Sequence, residues 1–342
     1  MKNLLTITAA ILFACSANAK IVYLNNNLSE ANIDENLYIT WTDAYAACSP
    51  GDTIYVTGSN VGHGSITITK PLNIIGPGYF LDQNLETQVN KKSVVFSSIT
   101  FSAGSENSFI SGLTITNTNS YVNIHSGIND ITIENCYLTY IYFNNGSGTV
   151  NNNIQIKKCY FWKTNSNISR NVNNDGICTN LLVSNNIFNG GIIIPTGSTG
   201  IFTQNLCRHN TLSLGTTSSF EVSNNIYLNQ NSNNFYIQPL PDASVHHNIS
   251  ITGVFGSEND NFTAPEGSLF IGDANASTDG QYQLGNGSPA KGAGSGGVDI
   301  GPFGGPDPYR LSGLPDLPNI YELSTGGFVT GESLPVRIKV KQ

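Results

Sequence analysis

Charge is what this sequence has least of. Only 11% of its 342 residues are Asp, Glu, Lys or Arg, and a net charge of −8 leaves no Lys/Arg cluster. Nucleic-acid binding needs a basic patch or stripe to neutralise phosphates, so no nucleic-acid partner is expected. Beyond the first twenty residues no apolar run approaches the roughly 18 residues that a spanning helix requires, which excludes a chain that crosses a membrane on helices. There is no C-x-x-C pair and no metal-ligand spacing, so neither a metal nor a cofactor is expected. Helical periodicity is nearly missing too. What replaces it is Gly (35 residues), abundant Asn, Ser and Thr, and short apolar/polar alternations that break at Gly or Pro. A 39% hydrophobic fraction suffices for a core. The length suits one elongated β domain.

The chain opens with MKNLLTITAAILFACSANAK. Lys2, the apolar stretch from Leu4 to Ala14 and the small-residue site Ala17-Asn18-Ala19 read as a secretory signal peptide over 1–19, with the mature chain starting at Lys20. A rival reading makes Leu12-Phe13-Ala14-Cys15 a lipoprotein signal with Cys15 acylated, although Phe13 is bulky there. Both readings export the protein, which is then secreted, periplasmic or at the cell surface. Cys48, Cys136, Cys159, Cys178 and Cys207 remain. Their odd number leaves at least one thiol free, and they are read as buried small hydrophobes. Cys136 and Cys159 are both expected as free thiols.

A repeat decides the fold. ITIENCY (131–137), IQIKKCY (154–160), LLVSNNI (181–187), IFTQNLC (201–207), FEVSNNI (220–226) and ASVHHNI (243–249) share one template, and FISGLT (109–114) fits it loosely. The sixth position falls at Leu113, Cys136, Cys159, Asn186, Leu206, Asn225 and Asn248, with successive gaps of 23, 23, 27, 20, 19 and 23. A period near 22 built of short strands is a solenoid signature; the helix-forming and Leu-rich segments of leucine-rich repeats are missing. Rungs then stack about 4.8 Å apart in parallel sheets. The sixth position becomes an inward column in which Asn satisfies turn groups and Cys or Leu packs.

WTDAYAACSPGDTIYVTG (41–58) with SITITKPLNIIGPG (65–78), and GSPAKGAGSGGVDIGPFGG (287–305), resemble the opening and closing segments of right-handed parallel β-helix proteins of the pectin-lyase-like group. The resemblance runs from about 41 to 305. It implies an all-β, single-stranded right-handed parallel β-helix of about ten coils, with a short capping helix over about 41–48. The expected organisation is signal peptide 1–19, β-helix domain 20–305 and a Pro/Gly-rich tail 306–342 that runs back over the body. That tail ends in a strand whose apolar face is Val336, Ile338 and Val340. The group includes lyases, hydrolases, epimerases and adhesins, so fold alone does not assign chemistry.

Polygalacturonases of this group carry N-T-D, an Asp pair, G-H-G and R-I-K. The look-alikes here are Asn173-Asn174-Asp175-Gly176, Gly62-His63-Gly64 and Arg337-Ile338-Lys339, in the wrong order and without an Asp pair. Two carboxylates about 5–10 Å apart are needed for glycosidic hydrolysis, and none can be paired with Asp175. A lyase needs a base and a cation. Arg208-His209 is the best such pair, with His125 and Asp175 as weaker members, and a solvated turn explains Arg208-His209 equally well. Glu134 and Lys157 are read as a surface ion pair between adjacent rungs.

A second short strand follows each template, and the resemblance implies that this sheet carries the site in enzymes of the group. Its outward positions include Asn123, Tyr142, Ser169, Ile193, Ser213 and Tyr236 in one column, and His125, Asn144, Asn171 and Gln238 in the other. Tyr rings for stacking and amides for hydrogen bonds suit sugar contact. Asn123, His125, Tyr142, Asn144, Asn171, Tyr236 and Gln238 are therefore the expected carbohydrate-binding residues. The expected function is a monomeric, non-catalytic carbohydrate-binding or surface-associated protein whose partner is a polysaccharide or cell-surface glycan. A polysaccharide lyase or glycoside hydrolase is the alternative, and a structural or adhesive spacer is a third.

Overall fold

The structure is a computed structural model that describes residues 19–117, 119–144, 149–164, 166–170, 177–209, 211–214, 219–231, 235–236, 244–325 and 335–341. Residues 1–18, which hold all but the last residue of the expected signal peptide 1–19 and include Cys15, lie outside the described residues.

Inward apolar residues fall on every second position of each strand, and stacking them generates three parallel sheets. The first has 11 strands, from Leu37–Tyr38 at one edge to Val245–His246 at the other. The second runs over 8 strands from Thr114–Ile115 to Phe262–Thr263, and the third over 8 from Ser65–Ile68 to Phe235–Tyr236. The result is a right-handed parallel β-helix of about seven turns. That is fewer than the expected ten, because the end rungs of the first sheet have no counterpart in the second and are not full turns. Ile110, Ile133, Ile156, Val183, Phe202 and Val222 are successive Cα partners at the centre of the first sheet, each 0% exposed. A helix at Trp41–Ala47 covers the first rungs. Thr40 Oγ1 caps it by accepting from the Asp43 N–H at 3.2 Å, and Trp41 packs edge-on against Phe96. Such a cover protects the open edge of a solenoid from pairing with another chain.

Each template strand ends in a left-handed residue. Asn135, Lys158, Asn185, Gln204, Asn224 and His247 have φ between 51° and 58°. This bend turns the chain into the second sheet, and Asn tolerates it better than most residues. Beside it runs the inward column, with one correction to the expected register. Thr203, not Gln204, is the Cα partner of Ser184 and Ser223, so the column holds Asn205 rather than Leu206. Ile201 and Phe202 are both apolar and leave the alternation ambiguous by one residue; the larger Phe202 takes the core and Ile201 stays 40% exposed. An unbroken amide ladder results. Asn186 Nδ2 donates to Asn205 Oδ1 at 3.0 Å, Asn205 to Asn225 at 3.1 Å, Asn225 to Asn248 at 3.0 Å and Asn248 to Asn261 at 3.0 Å.

The outward residues of the second sheet are apolar as well: Tyr137, Tyr160, Ile187, Leu206, Ile226 and Ile249. The C-terminal segment covers them, placing Leu269, Tyr282, Ile300 and Tyr309 in a second core. It also corrects the expected surface pair of Glu134 and Lys157. The two side chains meet at 3.2 Å, but Glu134 is only 7% exposed and Lys158 joins them, with a side chain 1% exposed. Lys158 Nζ lies 2.6 Å from Glu134 Oε1, 2.6 Å from Asp307 Oδ1 and 3.7 Å from Asp316 Oδ2. The sixth-position turn therefore carries a charged latch that fastens residues 307–316 to the solenoid. Beyond it, Asn319–Thr325 and Val336–Lys341 form an antiparallel hairpin whose Val336, Ile338 and Val340 are exposed. Cys48, Cys136, Cys159, Cys178 and Cys207 are all free and buried.

Two outcomes follow. Asn205→Leu keeps the side-chain size but strands the Asn186 amide and the Val183 carbonyl in a dry column. Urea unfolding should show a loss of about 3 kcal/mol or more, and a loss below about 1 kcal/mol would refute the ladder. Glu134→Gln should cost about 1–3 kcal/mol, more than a surface pair contributes. Lys158 holds the Asp307 carboxyl below its usual range against a desolvation penalty. The latch is therefore complete above about pH 4 and weakens as pH falls through the lowered Asp307 value. Lys158 is raised by Asp307 and Glu134 despite burial, so its share is lost only as pH rises through that raised value. Urea midpoints of the parent and Glu134→Gln, taken from acid to strongly alkaline pH, measure both.

Candidate functional site

Ile99, Val122, Ile141, Ile168, Ile192 and Leu212 of the third sheet are buried. Strand alternation then sends their neighbours outward. Thr67, Thr100, Asn123, Tyr142 and Ser169 are successive Cα partners, as are Ile193, Ser213 and Tyr236. His125 pairs with Asn144 in the next column. The register slips between Ser166 and Ile168, at the join of the two runs. No Asp or Glu occurs in the eight strands of this sheet.

Tyr142 is not alone. Its ring stacks on Tyr140 at 5.5 Å and 25°, and meets Tyr121 at 5.8 Å and 60°. Tyr121 and Tyr140 sit one residue before the inward Val122 and Ile141, so extending the alternation one position upstream would have placed them outward. All three are half-buried. Lys163 Nζ lies 4.6 Å from the Tyr140 ring centre. Burial, with smaller contributions from Tyr140 and Tyr121, raises the Tyr142 phenol, which therefore stays neutral and can both donate and accept. Asn123 Oδ1 is itself buried and has no hydrogen-bond partner among the described residues. Ser102 Oγ and His125 Nδ1 lie 3.1 Å apart, which orients the imidazole. The arrangement is an aromatic platform edged by amides and hydroxyls.

Other expected residues fall elsewhere. Asn171, Asp175 and Gln238 lie outside the described residues, and for Asn144 and Tyr236 only the strand positions are described. Arg208 and His209 line a cavity of about 280 Å³ together with Glu266, an acid that sequence reasoning missed because it lies 57 residues downstream. Arg208 is committed to its surroundings: Nη1 donates to Asn189 Oδ1 at 2.6 Å and the guanidinium stacks 4.8 Å from the Tyr282 ring. Desolvation, then Arg208, lowers the His209 imidazole, while Glu266 opposes the shift. His125 is four rungs away on the third sheet, about 19 Å at the strand spacing. The two histidines do not share a site. His63 packs on Phe96 at 5.2 Å and Arg337 lies on the terminal hairpin, so those look-alikes are separated as well. Among the described residues no group of His, Cys, Asp and Glu is arranged to hold a metal, and no helix is long and apolar enough to cross a membrane.

No known protein family, no curated protein and no solved structure matches this chain.

The cavity yields a signed titration. His209 should titrate below the ordinary histidine value of about 6.5. Arg208→Gln should raise it and Glu266→Gln should lower it further, read from imidazole proton shifts against pH. A His209 value above 6.5, or no response to either substitution, would contradict the geometry.

Proposed function

We propose that the outer face of the third sheet is a non-catalytic carbohydrate-binding surface on an exported protein of the pectin-lyase-like group. The observation that carries this reading is the Tyr121–Tyr140–Tyr142 platform on a sheet whose strands contain no carboxylate. Sugar rings present C–H faces to aromatic rings and hydroxyls to amides, and the platform offers both kinds of partner. Asn123 and His125 stand beside it, and the strand position of Tyr236 lies four rungs along the same sheet. An extended glycan lying along the solenoid axis is the natural ligand for that spacing. Export rests on the leader 1–19. Group membership rests on the 41–58 and 287–305 segments together with the parallel β-helix.

A polysaccharide lyase or hydrolase is the second reading, because Arg208, His209 and Glu266 line one cavity. An unsaturated-product and reducing-end assay on plant, algal and host polysaccharides separates it from binding. For the binding reading, Tyr142→Ala and Tyr121→Ala should each weaken oligosaccharide binding by about tenfold, with affinity rising with chain length. Glycan-array and calorimetric titration check this. If no glycan binds, or both variants bind as the parent does, the face is plain surface and the spacer reading replaces this one.

A further inference from the structure

A second groove lies at the other end of the first sheet, and nothing above uses it. Tyr23 and Tyr55 are Cα partners on strands Ile21–Leu24 and Thr53–Val56, and both point out of the solenoid. Their rings stack at 6.1 Å and 22°, with Tyr23 46% exposed. Ile75 continues the column on the next rung. Facing this wall is the returning C-terminal segment, with Pro315 and Pro318. The space between them is about 470 Å³, within the roughly 300–1,000 Å³ typical of small-ligand pockets.

The far wall is held in place. Asn319 Nδ2 donates to the carbonyls of Glu86 at 3.2 Å and Thr87 at 2.7 Å, and the Val89 N–H donates to the Ile320 carbonyl at 2.9 Å. Gly112 lets Pro315 approach the sheet, and Gly76 makes room for the Gly112 backbone. A Cβ on Gly112, whose φ is +68°, would lie 2.9 Å from Pro315 Cγ, and one on Gly76 would lie 2.5 Å from the Gly112 oxygen. The groove is thus set by packing on both sides.

Its chemistry is narrow. No lining residue is an Asp, Glu, Lys, Arg or His. Burial and then Tyr23 raise the Tyr55 phenol, so it too stays neutral. Two near-parallel rings and three prolines, Pro77, Pro315 and Pro318, supply apolar faces; Gln88 and Asn90 supply carboxamides, that of Asn90 already holding the Gly58 carbonyl and the Lys92 N–H. An ionic ligand would find no countercharge here. A ligand with apolar ring faces and a girdle of hydroxyls finds a partner for each.

We infer that the Tyr23–Tyr55 groove is a second ligand site, for a neutral pyranose-containing oligosaccharide. It stands on residues distinct from the third-sheet platform, so the two can fail separately.

Calorimetric titration of the purified protein against cellohexaose, mannohexaose and xylohexaose tests it, in a Tyr121→Ala/Tyr142→Ala background that weakens the platform's contribution. At least one neutral hexaose should still bind. That residual affinity should fall by about tenfold on adding Tyr55→Ala from the tyrosine wall, and again by several-fold with Gln88→Ala at the rim. Gln88 is a half-buried rim residue, so its substitution should leave the melting temperature unchanged and guards against misfolding as the cause. Hexagalacturonate should not compete. Three results overturn the inference: no neutral hexaose binds the Tyr121→Ala/Tyr142→Ala protein, residual binding is indifferent to both groove substitutions, or a decaproline peptide displaces the sugar and shows a peptide site instead.

Discussion

A parallel β-helix stacks its turns as well as its strands, and polar groups at a buried turn have no water to turn to. The asparagine ladder from Asn186 to Asn261 meets that constraint. Each amide donates to the carbonyl of the preceding rung and to the next Asn, as Asn205 does to Val183 and Asn225, while its oxygen accepts from the backbone N–H of the rung before. The ladder starts where Asn186 Oδ1 accepts the Cys159 N–H. Before that rung, Cys159 and Cys136 fill the slot and donate weakly to their own strand carbonyls. Sheet register, turn position and the inward apolar columns all depend on this alignment. A one-residue slip would send every inward side chain to the surface.

That constraint also explains which parts of the fold were legible in the sequence. Strand alternation and a recurring Asn are local signals, so the solenoid and most of the column could be read directly, while the cap came from the resemblance of residues 41–58. Asn205 was missed because two adjacent apolar residues, Ile201 and Phe202, fit the pattern in either frame; only the hydrogen bonds to Asn186 and Asn225 decide. Glu134 was misjudged as a surface group, and Lys158 was missed, for another reason. Their burial depends on Asp307, 149 residues away, and no local pattern announces a segment that returns from that distance. The same holds for Glu266 beside His209 and for Pro315 opposite Tyr55. Tyr121 and Tyr140, by contrast, were within reach of the alternation rule.

The returning segment also determines which surfaces remain open. It buries the outward Ile187, Leu206, Ile226 and Ile249 of the second sheet beneath Leu269, Ile300 and Tyr309. The third sheet keeps its outer face, and there the half-buried tyrosines gather around Tyr142. At the opposite sheet the segment forms one wall of the Tyr23–Tyr55 groove rather than a cover. Its latch to Lys158 places three carboxylates around one buried ammonium, Glu134 from the solenoid and Asp307 and Asp316 from the segment. Fastening the segment and shaping the groove are therefore physically linked.

The central claim is that the third sheet meets sugar. Hydrogen–deuterium exchange by mass spectrometry, with and without a saturating oligosaccharide, reads it without any substitution. The claim predicts slowed exchange in peptides covering Tyr121–His125 and Ile141–Asn144, with the ladder turns at Asn186 and Asn225 unchanged because they are already protected. A saturated complex with no protection at those two strands would contradict it.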